Sequence, residues 1–239
     1  MKIALISDIH ANLPALKAIL EDIQSRKIDA IYCLGDLVGY NIWPNEVIQA
    51  IRDLKIPTLA GNHDLKVKPG KPASEVSEKA YAYDIVGEDE RNYLLSLPAH
   101  IRLEYRIGER MVNFLFVHGS PRSVDEYLLE DMDENELLKV MNECNADLLC
   151  FGHSHKPYHR TIKTGESIKH AINIGSVGKP KDGDARGCYV ILELTASSLS
   201  LDQLRVTFAR VEYPVDTAAQ AIIDSPLPDE LADRLKKAY

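Results

Sequence analysis

Five short apolar runs each stop at a side chain that can bind a metal. ALIS ends at Asp8, YCLG at Asp36, TLAG at Asn62, FLFV at His118 and LCFG at His153. Apolar runs this short, bounded by Gly or polar residues, have the length of strands and not of helices. In open α/β sheets, ligands bind just beyond the carboxyl ends of the strands. One polar residue after a strand means little, because polar residues commonly follow strands. Five strands delivering Asp, Asn or His to one edge are hard to explain by packing.

The spaces between the runs read as helices in the first half. Asn12-Leu13-Pro14 is a helix-start signal, and Leu16, Ile19, Leu20 and Ile23 follow at helical spacing. Pro44 to Leu54 is a second amphipathic helix, with Val47, Ile48 and Ile51 on one face. The order strand, helix, strand, helix, strand predicts a parallel sheet with crossover helices, with PTLAG as its third strand. Residues 66–74 read as a loop and residues 75–97 as helical, broken near Gly87. The second half is richer in strands: 102–106 and 112–117 around a turn at Gly108, DLLCF after a helix over 134–142, then 158–163, 167–174, 188–194 and 204–213. The tail 217–239 reads as two short helices broken by Pro226 and Pro228. With no linker or repeat, one domain over 1–239 is expected.

Charge narrows the partners. The 239 residues carry a formal net charge of −8, with no Lys/Arg block. A duplex nucleic-acid binder needs a basic footprint, so no such partner is expected. An acidic protein can still hold phosphate esters if metal cations supply the positive charge. Cys33, Cys144, Cys150 and Cys188 form no CxxC pair and read as free, mostly buried thiols. MKIALIS runs into polar residues too early for a signal peptide. No stretch approaches the ~20 apolar residues of a membrane span. The expected setting is the reducing cytosol, without a membrane partner.

The candidate site has local logic. Asp8 and His10 are two apart, and on an extended backbone they would point the same way. His153 and His155 repeat the spacing. Gly35, Gly61, Gly119 and Gly152 flank the ligand positions and can supply positive φ. The mixture of carboxylate, imidazole and amide oxygen suits Mn, Fe, Zn, Co or Ni more than Ca or Mg.

Asp8-Ile9-His10, Gly35-Asp36-Leu37-Val38-Gly39, Gly61-Asn62-His63-Asp64, Val117-His118-Gly119 and Gly152-His153-Ser154-His155 together resemble the five motif blocks of the calcineurin-like metallophosphoesterase superfamily, in the family's order. Asn173 to Lys179 and Asp182 to Arg186 resemble its compact bacterial and archaeal phosphodiesterase-like branch, with Ile174 where many relatives have Pro. The resemblance implies an α/β fold, a four-layer sandwich of two mixed β-sheets flanked by helices. It implies two divalent metal ions, one held by Asp8, His10, Asp36 and His155, the other by Asp36, Asn62, His118 and His153, with Asp36 bridging. It implies hydrolysis of a small phosphate ester, diester or monoester, by a metal-bridging hydroxide. His63 would protonate the leaving oxygen or stabilise its charge, Asp64 would orient His63, and Asn12 and Arg186 would be phosphate contacts. Two alternatives stand beside this reading. A Ser/Thr-type protein phosphatase is disfavoured by the short span between His63 and His118. A metal-binding interaction scaffold without catalysis is disfavoured because no motif residue is missing. His100, His159 and His170 lie outside the motifs and read as ordinary. Trp43 reads as helix packing in preference to pocket lining.

Overall fold

Residues 2–6 alternate between two destinations, and that alternation organises the molecule. In the computed structural model, which describes residues 1–68, 81–165, 167–195 and 200–239, strand β1 (Lys2–Ile6) sends Ala4 and Ile6 to one side and Ile3 and Leu5 to the other. All four are 0% exposed. Helices α1 (Leu13–Ser25) and α2 (Pro44–Asp53) cover the first side with Leu16, Ile19, Val47, Ile48 and Ile51. Asn12 caps α1 by accepting the Ala15 N–H at 3.2 Å, and a Pro opens each helix.

The first sheet also contains β2 (Ala30–Cys33), β8 (Gly187–Glu193) and β9 (Arg205–Val211), in the order β2-β1-β8-β9. β1 and β2 are parallel, and β8 is antiparallel to β1 and β9. The second sheet contains β3 (His100–Ile107), β4 (Arg110–Val117), β5 (Leu148–Phe151), β6 (Tyr158–Thr164) and β7 (Ser167–Asn173), in the order β3-β4-β5-β7-β6. Its β4-β5 and β5-β7 pairs are parallel and its outer pairs antiparallel.

The sheets pack face to face. Ile3, Leu5, Val190 and Leu192 meet Phe114, Phe116, Leu148, Cys150 and Ile172 between them. Each such buried aliphatic contributes roughly 1.5–3 kcal/mol. On the far side of the second sheet, Leu115, Val117, Leu149 and Phe151 pack against Leu137, Val140 and Met141 of α5 (Glu134–Glu143). Helix, sheet, sheet and helix make four layers, as expected. Cys33, Cys150 and Cys188 are buried free thiols and Cys144 is partly buried.

The third strand is a correction. TLAG makes only one parallel bridge, Thr58 to Cys33. Past it the backbone leaves the sheet, and Ala60 donates to the Pro98 carbonyl at 2.8 Å. In the helical stretch, α3 (Tyr81–Asp84) and α4 (Glu88–Leu95) are separated around Gly87. Residues 75–80 and most of the predicted loop lie outside the described residues. The tail forms α6 (Val215–Ile223) and α7 (Glu230–Lys237). Their buried faces close over Ile42, Trp43 and Ala82. Trp43 therefore packs, and the tail is carried back to the loop that follows β2. Among the described residues no helix is long and apolar enough to cross a membrane.

Candidate metal centre

The loops that follow β1, β2, β4 and β5 converge at one edge of the two sheets. Asp8 donates its N–H to the Gly35 carbonyl at 3.0 Å, and His10 donates to the Asp36 carbonyl at 2.9 Å. The expected extended geometry at Asp8 and His10 is overturned. β1 ends at Ile6, and Asp8, His10, Asp36, His153 and His155 all have φ between 50° and 65°. Left-handed backbone at a non-glycine costs of order 1–3 kcal/mol each. The cross-loop hydrogen bonds hold it. The ligands themselves, and Gly35 at φ 83°, take the left-handed conformation; Gly61, Gly119 and Gly152 do not. Gly61 and Gly152 are needed for closeness instead, because a Cβ there would collide with the carboxylates of Asp36 and Asp8.

Each carboxylate divides its oxygens. Asp36 Oδ1 accepts the His63 N–H at 2.7 Å, and Asp8 Oδ2 accepts the His153 N–H at 3.1 Å. Asp36 Oδ2 and Asp8 Oδ1 are buried and accept no hydrogen bond among the described residues. Facing these bare oxygens are three imidazoles. His10, His118 and His155 place Nδ1 against the carbonyls of Val38, Leu34 and Lys179 at 3.0, 2.8 and 2.5 Å. A carbonyl only accepts, so Nδ1 carries the hydrogen and Nε2 turns inward as a potential ligand.

The inward atoms are close. His155 Nε2 is 3.1 Å from Asp8 Oδ1, His10 Nε2 is 3.6 Å from Asp36 Oδ2, and His118 Nε2 is 3.4 Å from Asp36 Oδ2. Asn62 Oδ1 is 3.1 Å from His118 Nε2. Ligands on one cation, at bonds of about 2.1 Å, lie about 3–3.5 Å apart. Buried oxygens that accept no hydrogen bond, facing inward imidazole nitrogens at that spacing, fit divalent cations. Asp8, His10, Asp36, His118 and His155 are all at most 3% exposed.

The electrostatics record the same demand. Burial opposes the charges of Asp36 and His118, yet their pairing prevails. Asp36 is held well below the usual carboxylate range, and His118 is pushed up to about 10. Burial pushes His155 down to about 4. Burial and the neighbouring His10 push His63 down to about 3, so its ring is neutral near pH 7.

His153 stands apart from this close cluster, whereas His63 joins it, its ring nitrogen within 4.8 Å of the ligand atoms of His10 and Asp36. His153 has Nε2 against the Asp125 carbonyl at 3.3 Å, and its ring stacks on Tyr127 at 4.1 Å. It is 5.1 Å, ring to ring, from His118. The His63 ring is 4.9 Å from that of His10, and Tyr83 Oη meets its Nδ1 at 2.6 Å.

Three further expectations are corrected. Asp64 does not touch His63; its carboxylate accepts the N–H groups of Asp36, Leu37 and Gly61 at 2.8–2.9 Å and so shapes the Asp36 loop. Asn12 spends its amide on Gly178 O and Tyr213 Oη besides capping α1. Arg186 is exposed and paired with Asp184 at 2.7 Å. The loop it belongs to supports the centre in another way. Asn173 donates to Gly152 O at 2.8 Å, and Ser176 donates to Asp8 O at 2.8 Å. Ile174 is buried between the sheets. Tyr40, Tyr83, Tyr127 and Lys181 have no place in the sequence reading, and Lys179 enters it only as part of the Asn173 segment. Tyr40 directly follows the Asp36 motif, a legible signal; Tyr83, Tyr127 and Lys181 come from segments with no pattern of their own.

A cleft of about 340 Å³ adjoins His63, walled by Tyr40, Tyr83, Leu231 and Arg234. A cavity of about 430 Å³ near Ala99 and Ser123 contains none of the cluster residues.

Comparison with known proteins shows the family and the fold. The model of the calcineurin-like phosphoesterase superfamily domain matches residues 1–197. The uncharacterized protein MJ0912 of Methanocaldococcus jannaschii is 34% identical, over 98% of this chain and 96% of that one. The crystal structure of a metallophosphoesterase from Sphaerobacter thermophilus is 31% identical and superposes with a TM-score of 0.79, covering all of both chains. The hypothetical protein PH1004 from Pyrococcus horikoshii is 25% identical, with a TM-score of 0.80 over 98% of this chain and 97% of that one.

Proposed function

The chain belongs to the calcineurin-like phosphoesterase superfamily, and from that premise we propose that it hydrolyses a small phosphate ester at two divalent metal ions. The observation that carries this reading is the pair of buried carboxylate oxygens, Asp8 Oδ1 and Asp36 Oδ2, that no hydrogen bond satisfies. Asp8, His10, Asp36 and His155 would hold one ion. Asp36, Asn62, His118 and His153 would hold the other, His153 releasing the Asp125 carbonyl to do so. Asp36, whose Oδ2 faces both His10 and His118, would serve both ions. Bound divalent ions supply positive charge to the phosphate and acidity to a water, which makes hydrolysis feasible at neutral pH. The donor mixture favours Mn, Fe, Zn, Co or Ni.

The chain's own residues do the rest. His63 is neutral; in the tautomer in which the Tyr83 hydroxyl donates to Nδ1, its N–H stands at Nε2. That N–H stabilises charge developing on the leaving oxygen; a full proton donor would need a higher pKa. The cleft beside it has the volume of a site for a small organic group. Nitrophenyl phosphodiester and monoester assays after manganese loading test the reading and decide between the two ester classes. Metal-dependent turnover that disappears in Asp36→Ala is expected. No turnover of either ester with any of the five metals would sink it.

A further inference from the structure

The anionic centre is bordered by cations that the proposed hydrolysis leaves unused. Lys179 is only 2% exposed. Among the described residues its ammonium meets no carboxylate, carbonyl or hydroxyl, only the face of Tyr40 at 4.7 Å. A buried ammonium without an anion is costly. Burial and the charges of Lys181 and Arg234 push Lys179 down to about 8. Lys181 is partly buried and likewise makes no ion pair among the described residues. Asp8 and Asp36 act on it electrostatically. Arg234 reaches in from α7 and lines the cleft with Tyr40 and His63; Glu230 pairs with it.

These groups are placed by two separate devices. The Lys179 carbonyl holds His155 Nδ1 at 2.5 Å, and the Lys181 N–H donates to the His155 carbonyl at 3.3 Å. The two lysines are thus pinned to a metal-ligand loop. Arg234 arrives on the tail, beyond residue 197 where the family-model match stops, carried in by the packing of α6 and α7 on Trp43 and Ala82.

We propose that Lys179, Lys181 and Arg234 form a second anion site, which takes a phosphate of the substrate other than the one being hydrolysed. The inference rests on the phosphoesterase reading above and narrows it. The metal ions would take the scissile phosphate; a second phosphate finds Lys179 and Lys181 on the segment tied to His155 and Arg234 on the cleft wall. The substrate class is therefore an organic diphosphate, oligophosphate or bisphosphate, its remaining organic part lying in the cleft between Tyr40 and Leu231. The site binds and makes no covalent bond.

Adenosine 5′-monophosphate and adenosine 5′-diphosphate differ by one phosphate and serve as probes. Both are tested as inhibitors of nitrophenyl phosphodiester hydrolysis by the manganese-loaded full chain, at fixed free metal. The diphosphate is expected to inhibit about tenfold better, since charge-assisted contacts to phosphate are strong. In Lys181→Gln and Arg234→Gln that ratio is expected to fall below about threefold. Lys179→Gln should do the same; because Lys179 is buried, its melting temperature is compared first, and the two less buried variants decide if it unfolds. Equal inhibition by the two nucleotides in the unmodified protein overturns the second site. An undiminished ratio in the variants overturns it too, because the cations would then hold the scissile phosphate or nothing. Absent turnover of nitrophenyl esters would instead count against the phosphoesterase reading. Equilibrium dialysis of the same two nucleotides, with the same expected ratio, then decides the anion site separately.

Discussion

On one side of Asp36 stand Asp8, His10 and His155, at most 3% exposed, with both imidazoles fixed by backbone carbonyls. On the other side only His118 is held that way, by Leu34. Asn62 is partly buried, and His153 leans on the Asp125 carbonyl and on Tyr127, which is 49% exposed. The first half is organised before any ion arrives. The second must move His153 to complete itself. Affinity rises when the ordering is already done, so the inner position should hold its ion more tightly, and the outer should be the exchangeable one.

The largest effect tests what the halves share. Asp36→Ala removes the carboxylate proposed to serve both ions, and turnover should fall about 10³-fold or more, as several kcal/mol of charge stabilisation are lost. Metal content measured by mass spectrometry should drop from two ions toward none. A variant that keeps both ions contradicts the shared position of Asp36.

The next effect separates the halves. Removing an outer-shell partner of a metal ligand costs 10–100-fold in affinity, so losing a ligand itself should cost about 100-fold at its own ion. In chelator competition, His155→Ala should weaken the tighter ion and His153→Ala the weaker one. Loss of the same ion in both variants would erase the comparison.

A third test uses pH. His118 in the metal-free fold is raised from 6.5 to about 10. Its pairing with Asp36 therefore stabilises the metal-free protein fully below about pH 6.5 and is lost as pH rises through about 10. An outer ion must displace that proton, so outer affinity should climb with pH over this window. The inner ion should be less sensitive, because His155 is already neutral above about 4. Calorimetry in buffers of different ionisation enthalpy counts the protons; equal release at both positions breaks the asymmetry.

The smallest effect is at Tyr127. Tyr127→Ala removes the ring that steadies His153 and should weaken only the outer ion, by up to about tenfold. Unchanged outer binding would mean that the stacking is incidental.

Much of this was legible in the sequence because it is local. Asp8, Asp36, Asn62, His118 and His153 stand directly after short apolar runs, His10 and His155 follow two residues on, and the ordered motifs name the set. Pro226 and Pro228 divided the tail correctly. What was hidden depends on distance in space. TLAG has a strand's composition, yet past Leu59 its backbone partner is Pro98, which no periodicity announces. Asp64 looked like a partner for its neighbour His63 and instead binds N–H groups of the Asp36 loop. The left-handed turns at Asp8 and His10 are dictated by carbonyls at 35 and 36. Lys179 meets Tyr40 across 139 positions of chain, and Arg186, the more conspicuous cation, is occupied by Asp184.

The divided carboxylates carry a consequence for descent. At Asp8 and Asp36 one oxygen keeps the loops together and the other faces the imidazoles of the candidate metal centre, so architecture and chemistry are separable at the level of a single atom. A change of Asp36 to Asn can retain the oxygen that accepts the His63 N–H while turning an amide NH₂ toward the cation position. A lineage that stopped hydrolysing phosphate esters could cross that gap in one substitution and inherit the scaffold intact.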